Sequence, residues 1–271
     1  MTIIRTAKQD ELLAEDLIGR IRKDRLVFKY SIKPRIKAGK ILECGCGNGI
    51  ILELLSKEFK DSTVVGTDVS ERLLGIVEAK RLKNVVTLKA NAIDDVFPSA
   101  AFNTVIFHKS LHEVECFEGR SGTIKAIKNA YKYLQNNGVL IVRENLKPSD
   151  RKVCIRLKSS FARERLKKFA ADFSPTKVKV FSNQNDVVEL SEHVAMEYIT
   201  KYDERDWATE MKEPHFFFKK QEWEKQLSSA GFRKVDIHTD TINQLDIAAR
   251  KQDFELLFPL PIYRATIVAR K

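Results

Sequence analysis

The chain has 271 residues, 43% of them hydrophobic, and its 48 basic against 37 acidic residues give a formal net charge of +11. This composition excludes a disordered chain and supports one large domain, or one domain with an insertion. No apolar run reaches the ~18 residues of a membrane-spanning helix, and residues 1–10 lack the apolar stretch of a signal peptide, so a cytoplasmic protein that does not engage a membrane is expected.

Residues 1–38 are expected to form a helical arm. Leu12, Leu13, Leu17, Ile18, Ile21 and Leu26 recur at steps of three and four among charged residues, and Pro34 breaks the pattern. Phe28 and Tyr30 of this arm either close over a ligand or pack on the domain. Next comes Ile41-Leu42-Glu43-Cys44-Gly45-Cys46-Gly47-Asn48-Gly49-Ile50-Ile51, a short apolar strand, a turn with glycines at alternate positions, and a helix beginning near residue 50. Glycines two apart uncover main-chain N–H groups and tolerate positive φ, so a ligand can lie against the backbone. The following strand, residues 63–67, ends at Asp68, where nucleotide-binding units place an acid. A dinucleotide fingerprint needs a third glycine where Ile50 stands.

The alternation continues. A helix over residues 70–82 has Ser70 as its N-cap, a strand covers 85–89, and a strand over 104–107 ends at His108. A helix over 122–135, with Ile124, Ile127, Ala130, Tyr131 and Leu134 on one face, stops at Asn136-Asn137-Gly138, before a strand at 139–142. Strands separated by helices argue for a parallel sheet with helices on both faces. From 146 to 213 the pattern lapses into a charged, mainly helical segment with the stripe Ala162, Leu166, Phe169, Phe173, read as an insertion after the fifth strand. A helix over 219–230, Gly231, and strands at 233–238 and 263–269 resume the alternation. The expected division is an arm (1–38), a ligand-binding domain (39–145 and 214–271) and an inserted helical lid (146–213).

The pattern Glu43-x-Gly45-x-Gly47-x-Gly49, with Val65-Gly66-Thr67-Asp68 one strand later, resembles the first two motifs of the class I S-adenosylmethionine-dependent methyltransferases. The resemblance implies a Rossmann-like sheet of seven strands, the last antiparallel, and S-adenosylmethionine as cofactor, leaving S-adenosylhomocysteine. It implies that Gly45, Cys46, Gly47 and Gly49 bring main chain against the methionine and ribose, with Glu43 beneath the loop near the amino group. Asp68 would accept from the ribose hydroxyls, Val69 would cover the adenine face, and Asn91 and Ala92 would stand at its edge. The family's usual residue at Asn91 is Asp, so a contact there loses charge assistance.

After the fourth strand stands His108-Lys109-Ser110-Leu111-His112-Glu113, and a "Leu-His-Glu" at this place is similar to small-molecule methyltransferases. His108 also falls against the cofactor. Either His112 or His108 is a candidate base, since histidine titrates near neutral pH; the competing reading is that His108 packs on the cofactor and His112 caps a helix. The Asp/Asn-Pro-Pro-aromatic and Pro-Cys signatures of nucleic-acid base methylation are missing, as is a magnesium-binding acidic cluster. No metal is expected, and Cys44, Cys46, Cys116 and Cys154 lack zinc spacing and read as free thiols.

Acceptor choice is expected to lie in the insertion, where Glu192, His193, Glu197, Tyr198, Tyr202, Trp207, Glu213 and His215 supply aromatic and acidic groups; Trp207 and Phe216–Phe218 read as core. Lys147, Arg151, Lys152, Arg156, Lys158, Arg163, Arg165, Lys167 and Lys168 form a basic tract. It is a solvated helix face, an attractor for an anionic or carrier-bound acceptor, or a surface for RNA. The leading expectation is methyl transfer to a small molecule at oxygen or nitrogen. RNA or protein methylation docked through the tract is the alternative, and a partner subunit that no longer transfers methyl is the third reading. Oligomeric state is not legible here.

Overall fold

The structure is a computed structural model that describes residue 19 and residues 21–204, 206–242, 247 and 250–271. Seven strands form the main sheet: β1 (Lys40–Cys44), β2 (Thr63–Asp68), β3 (Val85–Lys89), β4 (Phe102–His108), β5 (Leu134–Asn145), β9 (Lys234–Thr239) and β11 (Arg264–Arg270). Their order is β3-β2-β1-β4-β5-β11-β9, with β11 antiparallel to both its neighbours. This is the Rossmann-like sheet with an antiparallel last strand that the motifs implied. The central strands are apolar at successive positions because both sheet faces are covered. Ile41, Ile106 and Ile141 face a core with α1 (Ile50–Glu58) and α2 (Glu71–Ala79). Leu42, Val105 and Leu140 face the opposite core with α3 (Leu111–Tyr133) and α7 (Lys220–Ser229).

Of the expected arm, Leu12, Leu13, Leu17 and Ile18 lie outside the described residues. The helix over residues 21–27 passes into a π turn, Phe28–Ile32, and a 3₁₀ turn, Lys33–Arg35, that holds Pro34. Phe28 is buried in the core and Tyr30 is exposed, so Phe28 packs on the domain.

Two boundaries differ from expectation. α3 begins at Leu111, directly after β4, and Gly119 (φ 65°, ψ −175°) divides it. Strand β5 runs on through Arg143, Glu144 and Asn145, which are buried despite their polarity. Apolar periodicity stops at Val142, so sequence reasoning ended the strand there.

The inserted segment holds α4 (Ser160–Asp172), α5 (Glu192–Thr200) and α6 (Trp207–Glu210). It also holds strands that the reading did not include. β6 (Lys152–Leu157), β7 (Ser182–Gln184) and β8 (Val187–Ser191) join β10 (Phe254–Leu256) in an antiparallel sheet ordered β10-β6-β8-β7. β7 and β10 have three residues each, too few to show a period, and β10 comes from beyond residue 213. This unit has its own core, in which Phe169, Tyr198, Tyr202 and Phe254 pack with Ile155 and Leu190. Among the described residues no helix is long and apolar enough to cross a membrane.

Candidate active site

The glycine turn leaves β1 at the switch point, where β1 lies between β2 and β4. Gly45 and Cys46 N–H donate to the Thr67 carbonyl (2.8 and 2.9 Å), pinning the turn to the end of β2. Gly45, Gly47 and Gly49 have φ of 70°, 53° and 75°. A Cβ built on Gly47 meets nothing within 4 Å, so the turn opens on free space there. Asp68 stands beside it, accepting from Gly47 N–H (2.8 Å) with one oxygen and from Ser70 N–H (2.9 Å) with the other. Glu43 is 2% exposed, and its Oε2 has no hydrogen-bond partner among the described residues. Burial, then the nearby Asp68 and Asp24 carboxylates, push its carboxyl well above the usual range. Such a buried acceptor beneath an open turn suits an ammonium or hydroxyl of a ligand lying on the turn.

Val69, next in the chain, is 60% exposed. Ala90 N–H donates to the Asp68 carbonyl (3.1 Å), which brings Asn91 and Ala92 to the same strand ends. The Asn91 amide donates to Glu118 Oε1 (2.7 Å), its carbonyl oxygen accepts from Ile93 N–H (3.3 Å), and the Ala92 carbonyl accepts from Asn129 (3.2 Å). The Cys46 side chain points into the core with Leu52 and Ile51, and burial raises its thiol pKa, so its main chain alone faces the turn.

The two histidines have opposite environments. His108 ends β4, and its Nε2 lies 3.4 Å from Asp24 Oδ1 of the N-terminal helix. Lys109 Nζ, 2.8 Å from the same oxygen, completes the cluster. Burial lowers the His108 pKa more than Asp24 raises it, and Nδ1 has no partner among the described residues. His112 has its Nδ1 3.1 and 3.2 Å from the two oxygens of Glu144 at the end of β5. Burial opposes the charged imidazole, but the Glu144 charge and hydrogen bond outweigh it, and the pKa is pushed up to about 9. Glu144 also accepts from the first N–H groups of α3, Leu111 (2.9 Å) and His112 (3.3 Å), where an anion is stabilised by the helix terminus. At neutral pH His112 is therefore a cation and His108 is neutral.

Sequence reasoning missed Glu144 and Asp24. Glu144 carried one signal, a charge directly after an apolar parallel strand. Asp24 carried none, since its partners come from β4.

The residues that follow the insertion meet this site through His215, whose ring lies edge-on to His112 with centroids 6.1 Å apart. His215 is held by Glu210 (2.9 Å) and Thr200 (3.0 Å). Most of the acidic and aromatic groups expected to line a lid instead hold it together. Glu197 accepts from His215 and Phe216 N–H, Glu192 pairs with Arg151, and Tyr198 donates to the Ala162 carbonyl. Phe216, Phe217 and Phe218 are buried, and Trp207 lies under the Arg165 guanidinium. A cavity of about 260 Å³ remains between α3 and the insertion, bordered by Cys116, Arg120, Lys147, His193, Lys212 and Phe217.

The basic tract is largely neutralised within the chain. Arg151, Lys152, Arg156, Lys158, Arg163, Lys167 and Lys168 each face a carboxylate, and Arg165 donates to two carbonyls. Lys147 has no ion-pair partner among the described residues.

A family model described as a methyltransferase domain matches residues 13–237. A malonyl-[acyl-carrier protein] O-methyltransferase of Bacillus cereus is 24% identical over 102 residues, which are 38% of this chain and 36% of that protein. The chain thus spans little more than a third of the length of this curated relative. Among solved structures, an S-adenosylmethionine-dependent methyltransferase from Mesorhizobium loti is similar at a TM-score of 0.54 and 14% identity, over 88% of this chain and 93% of that one. One from Archaeoglobus fulgidus is similar at 0.53 and 15% identity, over 93% and 94%. These structural likenesses concern the fold.

Proposed function

The chain belongs to the methyltransferase domain family, whose methyl donor is S-adenosylmethionine, and on that premise we propose that it methylates a small-molecule acceptor at oxygen or nitrogen by direct in-line displacement. The observation that carries the reading is the open glycine turn flanked by Asp68 and by buried Glu43, whose Oε2 has no partner among the described residues, with a cavity bordered by Cys116 of α3 one helical turn beyond His112. The donor supplies a methyl group on a sulfonium, which makes the carbon electrophilic. The chain's residues then have three tasks. Gly45, Gly47 and Gly49 would seat the donor on main chain, Asp68 would accept from its ribose hydroxyls, and Glu43 would meet its amino group. Val69, Asn91 and Ala92 bound the adenine. The insertion and α3 orient the acceptor and exclude water, and positioning supplies most of the rate.

We assign the proton to His108 rather than His112. A base must be unprotonated at working pH, and His108 is neutral with a ring nitrogen unengaged among the described residues. His112 is already protonated and held on Glu144, so it acts as a fixed cation. A carrier-bound acid is a second reading, supported by the name of the curated relative.

The test is donor binding followed by single-turnover transfer. Calorimetry is expected to show S-adenosylhomocysteine binding that Asp68→Ala weakens roughly 10- to 100-fold. With an acceptor found by screening amines, alcohols and acids, His108→Ala should slow transfer by roughly 100-fold. Absence of donor binding in the unmodified protein leaves only a partner-subunit role, and unchanged rates in both His108→Ala and His112→Ala remove the base.

A further inference from the structure

The cavity between α3 and the insertion has a charge pattern that the donor site does not require. Arg120 is fixed on three sides: Nε donates to Glu115 (2.7 Å), Nη2 donates to the Phe217 carbonyl (3.2 Å), and the guanidinium carbon lies 4.1 Å from the centre of the Phe218 ring. Its remaining nitrogen, Nη1, is 3.8 Å from Glu222, beyond hydrogen-bond reach. Lys147 and Lys212 border the same cavity and form no ion pair among the described residues. His193 is 7% exposed, and its Nε2, 3.5 Å from Glu197, makes no hydrogen bond there. Of the acids nearby, Glu222 is the ion-pair neighbour of Arg120 and Glu197 that of His193, and Glu115 is taken up by Arg120 and Thr123. Glu213, between the bordering residues Lys212 and Pro214, has its carboxyl pushed above the usual range by burial.

A preorganised guanidinium, two ammonium groups without an ion pair among the described residues and a buried imidazole with no hydrogen bond at Nε2 among them, around one space, make a lining suited to an anion. The cavity lies beside the reacting centre. Cys116 on its wall is one helical turn beyond His112, and His215, which touches His112, stands between the bordering residues Pro214 and Phe216. Its volume of about 260 Å³ admits a short chain ending in a carboxylate or phosphate, and no macromolecule.

We propose that this cavity is the anion subsite of the acceptor pocket: it holds a carboxylate or phosphate of the acceptor, and so places the acceptor's nucleophilic atom over the glycine turn. The inference rests on the methyl-transfer reading above and adds the acceptor's class.

The test uses the full chain saturated with S-adenosylhomocysteine and titrated in a calorimeter with inorganic phosphate, glutarate and neutral glutaramide. Glutarate or phosphate should bind saturably and glutaramide should not, and the tighter of the two anions identifies the head group. Arg120→Gln and Lys147→Ala should each weaken the anion roughly 10-fold or more, while S-adenosylhomocysteine affinity stays within a factor of about two. Arg120→Lys, which keeps charge and loses the fork, should recover part of the loss. Equal binding of glutaramide, no saturable anion binding, or binding indifferent to both substitutions in folded protein overturns the subsite. Failure of the unmodified chain to bind S-adenosylhomocysteine sinks the methyl-transfer reading instead, and is measured separately.

Discussion

His112 carries a proton because of where β5 ends. Its partner Glu144 is itself held below the usual carboxylate range, since burial, which would raise it, is outweighed by the His112 charge and by the His112 and Leu111 N–H groups. A histidine whose pKa rises on folding adds stability below its unfolded value near 6.5, and loses it as pH climbs through its folded value. With a folded value of about 9, the stabilisation is of the order of 3 kcal/mol at pH 6 and is gone above pH ~10. The melting temperature of the unmodified protein should therefore exceed that of His112→Gln by several degrees at pH 6–7, with the gap closing by pH 10. A gap that stays constant with pH would mean that the pair does not titrate as described. His108 acts in the opposite sense: its lowered pKa costs stability as pH falls below the unfolded value near 6.5.

At the scale of elements, α3 joins the two halves of the site. Its first eight residues carry His112 and Cys116, and the rest, from Arg120, packs on the sheet. Gly119 between them has φ 65° and ψ −175°, a region open almost only to glycine, and a Cβ there would meet no atom within 4 Å. Gly119→Ala should thus destabilise the fold by about 1–3 kcal/mol through backbone strain alone, measurable by urea denaturation. A change under about 0.5 kcal/mol would show that the break tolerates a side chain. The chain's own punctuation hid this break: the apolar stripe over residues 122–135 reads as one helix, and His112 reads as a base or a helix cap. What was legible was the local grammar of strand, glycine turn and Ser70 cap, whose hydroxyl accepts from Leu73 N–H (3.3 Å).

Across the whole molecule, most of the positive charge of residues 147–168 is answered within the chain. Nearly every cation of that tract is matched by a carboxylate or carbonyl of the second sheet and its helices. Exposed pairs of this kind add little stability, yet they remove free charge from the surface. A 20-nucleotide RNA should accordingly show no saturable binding at micromolar concentration in 0.15 M salt. Tight binding with a steep salt slope would restore RNA as the acceptor. Lys147, the cation of the tract left without an ion pair among the described residues, borders the same cavity as Arg120 and Lys212.

The sequence by itself determined the Rossmann-like sheet, the glycine turn and the acid that answers it at Asp68. Those features are written in neighbouring residues: a short apolar run, φ-permissive glycines and a strand end one helix later. Only the tertiary structure decided what the side chains around the turn do. Asp24 reaches His108 from the N-terminal helix, Glu144 reaches His112 from the end of β5, and β10 closes the second sheet from near the C-terminus. Glu144 raises the pKa of His112, whereas burial lowers that of His108 against the pull of Asp24. Periodicity along a chain records which side faces the core, and it holds no record of which buried carboxylate comes to lie 3 Å away.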